Sequence, residues 1–226
     1  MTDKSERHTT RMAKKKAVID AAIAGADKEK GLLLVLTGNG KGKSSSAFGM
    51  VARALGHGMK VGVAQFIKGR SATGAGPSQA GGCTPSGGSE RSERGGCPLT
   101  GEEAFLGQQP GVEWHVLGEG FTWDTQNLER DIATAKQGWE VARRLLADPA
   151  IQLVVLDELT YLLNYGWLDV DAVLADLAAR PPMQHVVVTG RAASQALIDA
   201  ADTVSEIADV KHAYRAGVKA QAGVDL

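Results

Sequence analysis

Short apolar runs alternate along this chain with longer stretches whose apolar residues return every three or four positions. Leu32–Leu36, Val61–Ile67, Val112–Val116, Leu153–Leu156 and His185–Val188 read as strands, and the unbroken apolar run Leu153–Leu156 is the pattern of a strand covered on both faces. Between them, Ser45–Leu55 predicts a helix with Phe48, Val51, Ala52 and Leu55 on one face, stopped by Gly56-His57-Gly58. A long helix is expected over Leu128–Leu146, its inner face built from Ile132, Ala135, Trp139, Ala142 and Leu146, with Asp148-Pro149 ending it. Val170–Ala179 and Ala192–Ala200 read as further helices, and Val204–Ile207 as an edge strand. Strands alternating with amphipathic helices predict an α/β fold, a mostly parallel sheet with helices on both faces. Its ligands belong at the carboxyl ends of the strands.

The first strand runs directly into Gly38-Asn39-Gly40-Lys41-Gly42-Lys43-Ser44. This is close to the phosphate-loop pattern G-x-x-x-x-G-K-[ST], with Thr37 at the place of the first glycine and Gly38 one position later. Glycines let backbone N–H groups close around a phosphate, Lys43 supplies a mobile positive charge and Ser44 a hydroxyl for Mg²⁺. The helix that follows presents an N-terminus that also favours anions. The chain is therefore expected to bind a nucleoside triphosphate in a P-loop, RecA-like nucleotide-binding fold. The loop alone does not decide whether the terminal phosphorus is attacked or the triphosphate departs intact.

A second signal, Leu153-Val154-Val155-Leu156-Asp157-Glu158, puts two carboxylates at the end of a core strand. A magnesium or manganese ion bridging phosphate oxygens needs oxygen ligands there. Spacing leaves open which of Asp157 and Glu158 would touch it, or whether the pair caps the next helix. The third signal is Gly118–Asn127, a Gly-flanked loop with Phe121 and Trp123 at alternate positions in a chain only 5% aromatic. These rings either stack on a flat ligand or anchor the loop. Arg191, directly after a strand in Val188-Thr189-Gly190-Arg191, either meets phosphate or forms a surface ion pair. Arg53 on the first helix is a candidate of the same kind, against a solvent-facing reading. His57 and His212 stand alone and read as structural or exposed. No Ser/His/Asp or Cys/His arrangement marks a general base, which suits a nucleophile that arrives already activated on its substrate.

Composition narrows the setting. A net charge of −1 over 226 residues gives no basic field for nucleic acid or a membrane surface. No run approaches the ~18 apolar residues of a membrane span, and Met1–Lys30 lacks the apolar core of a signal peptide. A soluble cytoplasmic protein is expected, with Cys83 and Cys97 as free thiols. Residues 1–30 form a polar N-terminal segment, with an Ala-rich run from Ala17 to Ala24, that orders only against something else. Residues 31–226 make the nucleotide-binding domain. Within it, 71–98 is rich in Gly, Ser and Pro and reads as a disordered surface insertion.

Several blocks together resemble the phosphate-loop ATP:corrinoid adenosyltransferases: Thr37–Ser44, Val61–Gly69, Gly120-Phe121-Thr122-Trp123, Val155–Tyr161, Thr189-Gly190-Arg191, Val210–Tyr214 and Gly217–Gln221. They stand in that family's order from Gly31 to Asp225. Ser44-Ser45 replaces the usual two threonines, and 71–98 separates Lys68-Gly69 from Thr100-Gly101-Glu102. The resemblance implies a transferase that moves the 5′-deoxyadenosyl group of ATP to the cobalt of a reduced corrinoid, releasing triphosphate. It implies ATP contacts along Gly38–Ser45, metal contact at Ser44 and Glu158, and an aromatic pair, Phe121 and Trp123, that displaces the lower axial ligand of cobalt. It further implies a homodimer, a reduced flavoprotein as electron donor, and an N-terminal helix that closes over the site. A kinase or ATPase is the rival from the same fold, and a RecA-type nucleic-acid-binding module the rival from another class.

Overall fold

Each predicted strand is present, and all six join one sheet in a computed structural model that describes residues 2–69, 100–118 and 128–224. The Gly/Ser-rich stretch 71–98, with Cys83 and Cys97, and the loop bearing Phe121 and Trp123 lie outside the described residues. The strands are β1 (Leu33–Thr37), β2 (Val61–Gly69), β3 (Val112–Gly118), β4 (Leu153–Asp157), β5 (His185–Thr189) and β6 (Thr203–Glu206). They lie in the order β3-β2-β4-β5-β1-β6, and every pairing is parallel.

Alternate residues of each strand feed different layers. Leu33 and Val35 join a core cluster with α4 (Leu128–Ala147), α5 (Leu159–Asn164), α6 (Val170–Ala178) and α7 (Gln195–Ala200). Leu34 and Leu36 turn to the opposite face, covered by α2 (Lys43–Gly56) and α3 (Gly101–Leu106). Val154, Leu156, Val186 and Val188 share the first layer; Leu153, Val155 and Val187 share the second. Burying each such side chain contributes about 1.5–3 kcal/mol, so both faces of the central strands drive folding.

Apolar residues on both faces cannot by themselves fix the register; the polar strand ends can. Gln65 pairs with Asp157, Leu156 with Val188, and Leu36 with Thr189, so Gln65 within β2 lines up with the polar carboxyl ends of β4 and β5. A one-residue slip would set a buried carboxylate against apolar neighbours, at a cost of several kcal/mol.

Three details differ from the sequence-based expectation. The inner face of α2 uses Lys43, Ala47, Phe48, Val51 and Ala54, while Ala52 is exposed. Two six-residue helices, α3 and α5, occupy segments to which the sequence pattern assigned no element; α3 is capped by Thr100, whose hydroxyl accepts from the Glu103 N–H at 3.3 Å. The last helix starts at Gln195, three residues later than expected, behind the Ser194 cap.

The chain divides into two units, Met1–Lys30 and Gly31–Leu226. The first contains one helix, α1 (Thr2–Ala24), on which Met12, Val18, Ile19 and Ile23 are exposed. No helix among the described residues is long and apolar enough to cross a membrane.

Candidate active site

The connections after β1 and β5 leave toward opposite faces of the sheet, to α2 on one side and α7 on the other. Adjacent parallel strands that diverge in this way open a crevice at their carboxyl ends. A cavity of about 290 Å³ occupies that position, lined by the loop Asn39–Ser45 together with Glu102, Glu158, Arg191 and His212. Its size is at the small end of ligand sites and its lining is polar, which suits an anion rather than a bulky apolar group.

The loop is shaped by close backbone packing. Gly38 has φ 101°, and a Cβ there would collide with the backbone of Ile207. Gly40 donates its N–H to the Ile207 carbonyl at 2.7 Å, and Ile207 donates to the Thr37 carbonyl at 2.8 Å. The chain just beyond β6 thus forms the floor of the loop. Thr37, at the place of the missing glycine, is the last residue of β1, and its hydroxyl accepts from the Ala193 N–H at 3.1 Å. The positive-φ role passes to Gly38, so the departure from the pattern leaves the loop intact.

Lys43 is buried, 7% exposed, and donates to the Gly40 carbonyl at 2.8 Å. Burial pushes its pKa down, the Glu158 carboxylate pushes it up, and Arg191 adds a smaller downward effect. Glu158 follows β4 in a left-handed conformation, φ 64° and ψ 23°, uncommon for a non-glycine residue and costing about 1 kcal/mol. That turn delivers its side chain to the cavity wall. Asp157, one residue earlier, is fully buried behind the wall; its carboxylate accepts from Thr189 Oγ1 at 2.7 Å and from Gln65 Nε2 at 3.0 Å.

Arg191 is placed by its own backbone. Thr160 Oγ1 and Asn164 Nδ2, both on α5, donate to its carbonyl at 2.7 and 3.1 Å. Gly190 before it has φ 139° and lies against the Thr160 side chain. His212, read from sequence as isolated, lines the same cavity. Its Nδ1 accepts from the Tyr214 N–H at 3.2 Å, so the neutral ring carries its proton on Nε2 and can donate.

One candidate lies apart from the cavity. Arg53 sits in the last turn of α2, beside Leu34, Leu153 and His185 at the amino end of the strands, remote from the loop. Ten residues of helix carry it about 15 Å along the axis from Lys43. Asn39, Gly40, Lys41, Gly42, Lys43, Ser44, Ser45, Glu158 and Arg191 are brought together; Gly38 shapes the loop from behind, and Asp157 backs it. Glu102 and His212 were absent from the residue set that spacing alone suggested. The signal for them was their place in the family-like blocks Thr100-Gly101-Glu102 and Val210–Tyr214.

The sequence pattern of the family described as ATP:corrinoid adenosyltransferase BtuR/CobO/CobP matches residues 29–79 and 95–226. That of the cob(I)alamin adenosyltransferase N terminal region matches residues 1–23. The gap in the first match, 80–94, falls inside the Gly/Ser-rich stretch. The chain is 56% identical over 225 residues to the corrinoid adenosyltransferase of Pseudomonas aeruginosa, covering 99% of this chain and 98% of that protein. It is 44% identical over 220 residues to corrinoid adenosyltransferase CobA of Salmonella typhimurium, covering 97% and 98%. The Escherichia coli K12 corrinoid adenosyltransferase is 43% identical over 220 residues, with the same coverage. With nearly every residue of the chain aligned at this identity, the chain belongs to the ATP:corrinoid adenosyltransferase family.

Proposed function

We propose that this chain performs its family's adenosyl transfer by gripping the polyphosphate of ATP as a leaving group, while the cobalt of a reduced corrinoid takes the sugar carbon. The observation that carries this reading is a glycine-rich phosphate loop that lines one cavity together with the cations Lys43 and Arg191 and the carboxylate of Glu158. Co(I) is a strong nucleophile that needs no deprotonation. Its electron pair forms the bond to C5′, the C5′–O bond breaks, and that pair leaves on triphosphate. Cobalt becomes Co(III), and no proton moves.

The protein's work then falls on orientation and on charge. The loop N–H groups, the Lys43 ammonium and Arg191 meet negative charge as it gathers on the departing oxygens. His212 adds an Nε2–H donor on the same wall. Burial fixes Lys43 in place, so little reorganisation is needed as the bond breaks.

A divalent ion fits this wall. Ser44 and Glu158 offer a hydroxyl and a carboxylate, hard oxygen donors of the kind Mg²⁺ or Mn²⁺ takes together with phosphate oxygens. When bound it would supply further positive charge to the polyphosphate. Asp157, with both oxygens already accepting hydrogen bonds, is a support behind the wall and not a ligand.

Phe121 and Trp123 resemble the family's aromatic pair. We assign them the removal of the lower axial ligand, because an apolar wall disfavours a coordinating base or water and eases reduction of cobalt. The family resemblance supports a reduced flavoprotein as the electron donor and a cytoplasmic homodimer as the working form.

The test is direct. ATP, Mg²⁺ and chemically reduced cobalamin incubated with the protein should yield the visible spectrum of a light-sensitive alkyl-cobalt product. ADP and phosphate without that spectrum would point instead to phosphoryl transfer. For Trp123→Ala, the loss should be larger when Co(II) must be reduced on the enzyme than when Co(I) is supplied ready-made. An equal loss would make the ring a structural anchor.

A further inference from the structure

Four hydrogen bonds run across the sheet, from Trp114 and Gln65 in the middle of β3 and β2 to the carboxyl ends of β4 and β5. Trp114 Nε1 donates to Gln65 Oε1 at 3.0 Å, and Gln65 Nε2 donates to Asp157 Oδ2 at 3.0 Å. Thr189 Oγ1 donates to Asp157 Oδ1 at 2.7 Å, and the Glu158 N–H donates to Thr189 Oγ1 at 2.9 Å. Donor chemistry gives the chain one sense. An indole N–H only donates, so the Gln65 oxygen must face Trp114 and its amide N–H₂ must face the carboxylate. The Thr189 proton goes to Asp157, leaving the hydroxyl lone pairs for the Glu158 N–H. Gln65, Asp157 and Thr189 are at most 1% exposed, so losing any one bond would strand a buried polar group.

The two ends of this chain are what make it more than a stabilising network. One end holds the backbone of Glu158 in its left-handed turn, a conformation that persists only where surroundings enforce it. At the other end, the Trp114 ring packs on Phe48 of α2 at 5.1 Å between centroids, and α2 begins at Lys43 and Ser44. The circuit therefore touches both elements that bring oxygen donors to the cavity.

We propose that Gln65, Asp157 and Thr189 form a positioning circuit that sets the Glu158 turn relative to Ser44, with Trp114 tying it to the phosphate-loop helix. This rests on the reading of Glu158 as the acid that faces the metal and polyphosphate. Asp157 is the hub: it holds two donors from neighbouring strands and transmits their position to the next residue along its own chain. The residues act through Glu158 and touch no substrate.

Thr189→Val removes the hydroxyl with little change of volume, and Thr189→Ser restores it. In protein free of metal and nucleotide, amide hydrogen exchange at Glu158 should accelerate in Thr189→Val by about tenfold or more, while Val154 and Val155 keep their protection. In the same variant, the Mg²⁺ concentration that half-maximally promotes ATP binding, measured by calorimetry, should rise about tenfold. Thr189→Ser should restore both quantities. Gln65→Leu, which cuts the circuit one residue further away, should raise the Mg²⁺ midpoint in the same direction. Wild-type exchange at Glu158 together with a wild-type midpoint in Thr189→Val would overturn the proposal, as would equal damage in Thr189→Ser. Should the wild-type protein bind ATP with no response to Mg²⁺, the reading of Glu158 fails, and the exchange measurement still judges the circuit by itself.

Discussion

The ammonium group of Lys43 donates to the carbonyl of Gly40 across 2.8 Å, inside the loop that both residues belong to. The charge is thereby aimed at the loop's concave side before any nucleotide arrives. Its pKa is depressed by burial and raised by Glu158, so the carboxylate helps keep it protonated. Lys43→Ala should lower kcat about 10²–10³-fold at saturating ATP, because a preorganised charge at the leaving group is lost. Steady-state rates with pre-reduced cobalamin measure this, and near-normal turnover would remove Lys43 from the mechanism.

Gly190 is the weak point of the Arg191 turn. With φ 139° and the Thr160 side chain against it, Gly190→Ala forces either backbone strain or displacement of Thr160, which donates to the Arg191 carbonyl. We expect a loss of about 1–3 kcal/mol in stability together with a raised KM for ATP. Thermal melting and ATP titration report the two effects. An unchanged melting temperature with unchanged KM would show that the turn tolerates a side chain.

Arg53→Ala should leave the KM for ATP within about twofold of wild type, as for an exposed substitution remote from the site. A tenfold rise would place nucleotide at the amino end of the sheet, against the geometry of the loop.

Away from the cavity, Arg144 and His115 both bond to the Glu113 carboxylate on β3. The Arg144 hydrogen bond is the largest cause holding the Glu113 pKa below the ordinary carboxylate value, with His115 assisting. A depressed carboxylate contributes stability above its unfolded pKa and loses it as pH falls through the folded one. In Arg144→Ala the Glu113 titration, followed by NMR of its side-chain carbonyl, should move to higher pH. An unmoved midpoint would mean that the pair does not persist in solution.

Much of this molecule can be read from local pattern. Strands covered on both faces announce themselves as unbroken Val and Leu runs such as Leu153–Leu156, and the loop Gly38–Ser44 is contiguous in sequence. What escaped was non-local or short. His212 reaches the cavity because the chain returns past the phosphate loop after β6, which no spacing encodes. The six-residue helices α3 and α5 are too brief to show a period. For Arg53 the sequence left ligand and solvent-facing readings open, because a place on the helix after a phosphate loop does not say which way the side chain faces; the structure sets it in the last turn of α2. Gln65 did leave a signal, a lone polar residue in the apolar strand Val61–Ile67, which marks a buried group that needs partners.

The account turns on the polyphosphate leaving whole. The most direct measurement follows ATP labelled at the γ-phosphate through one turnover with reduced cobalamin and counts product phosphates against alkyl-cobalt formed. Intact labelled triphosphate, one for each adenosylated corrinoid, is the predicted result. Label appearing in orthophosphate alongside ADP, in proportion to turnover, would contradict it.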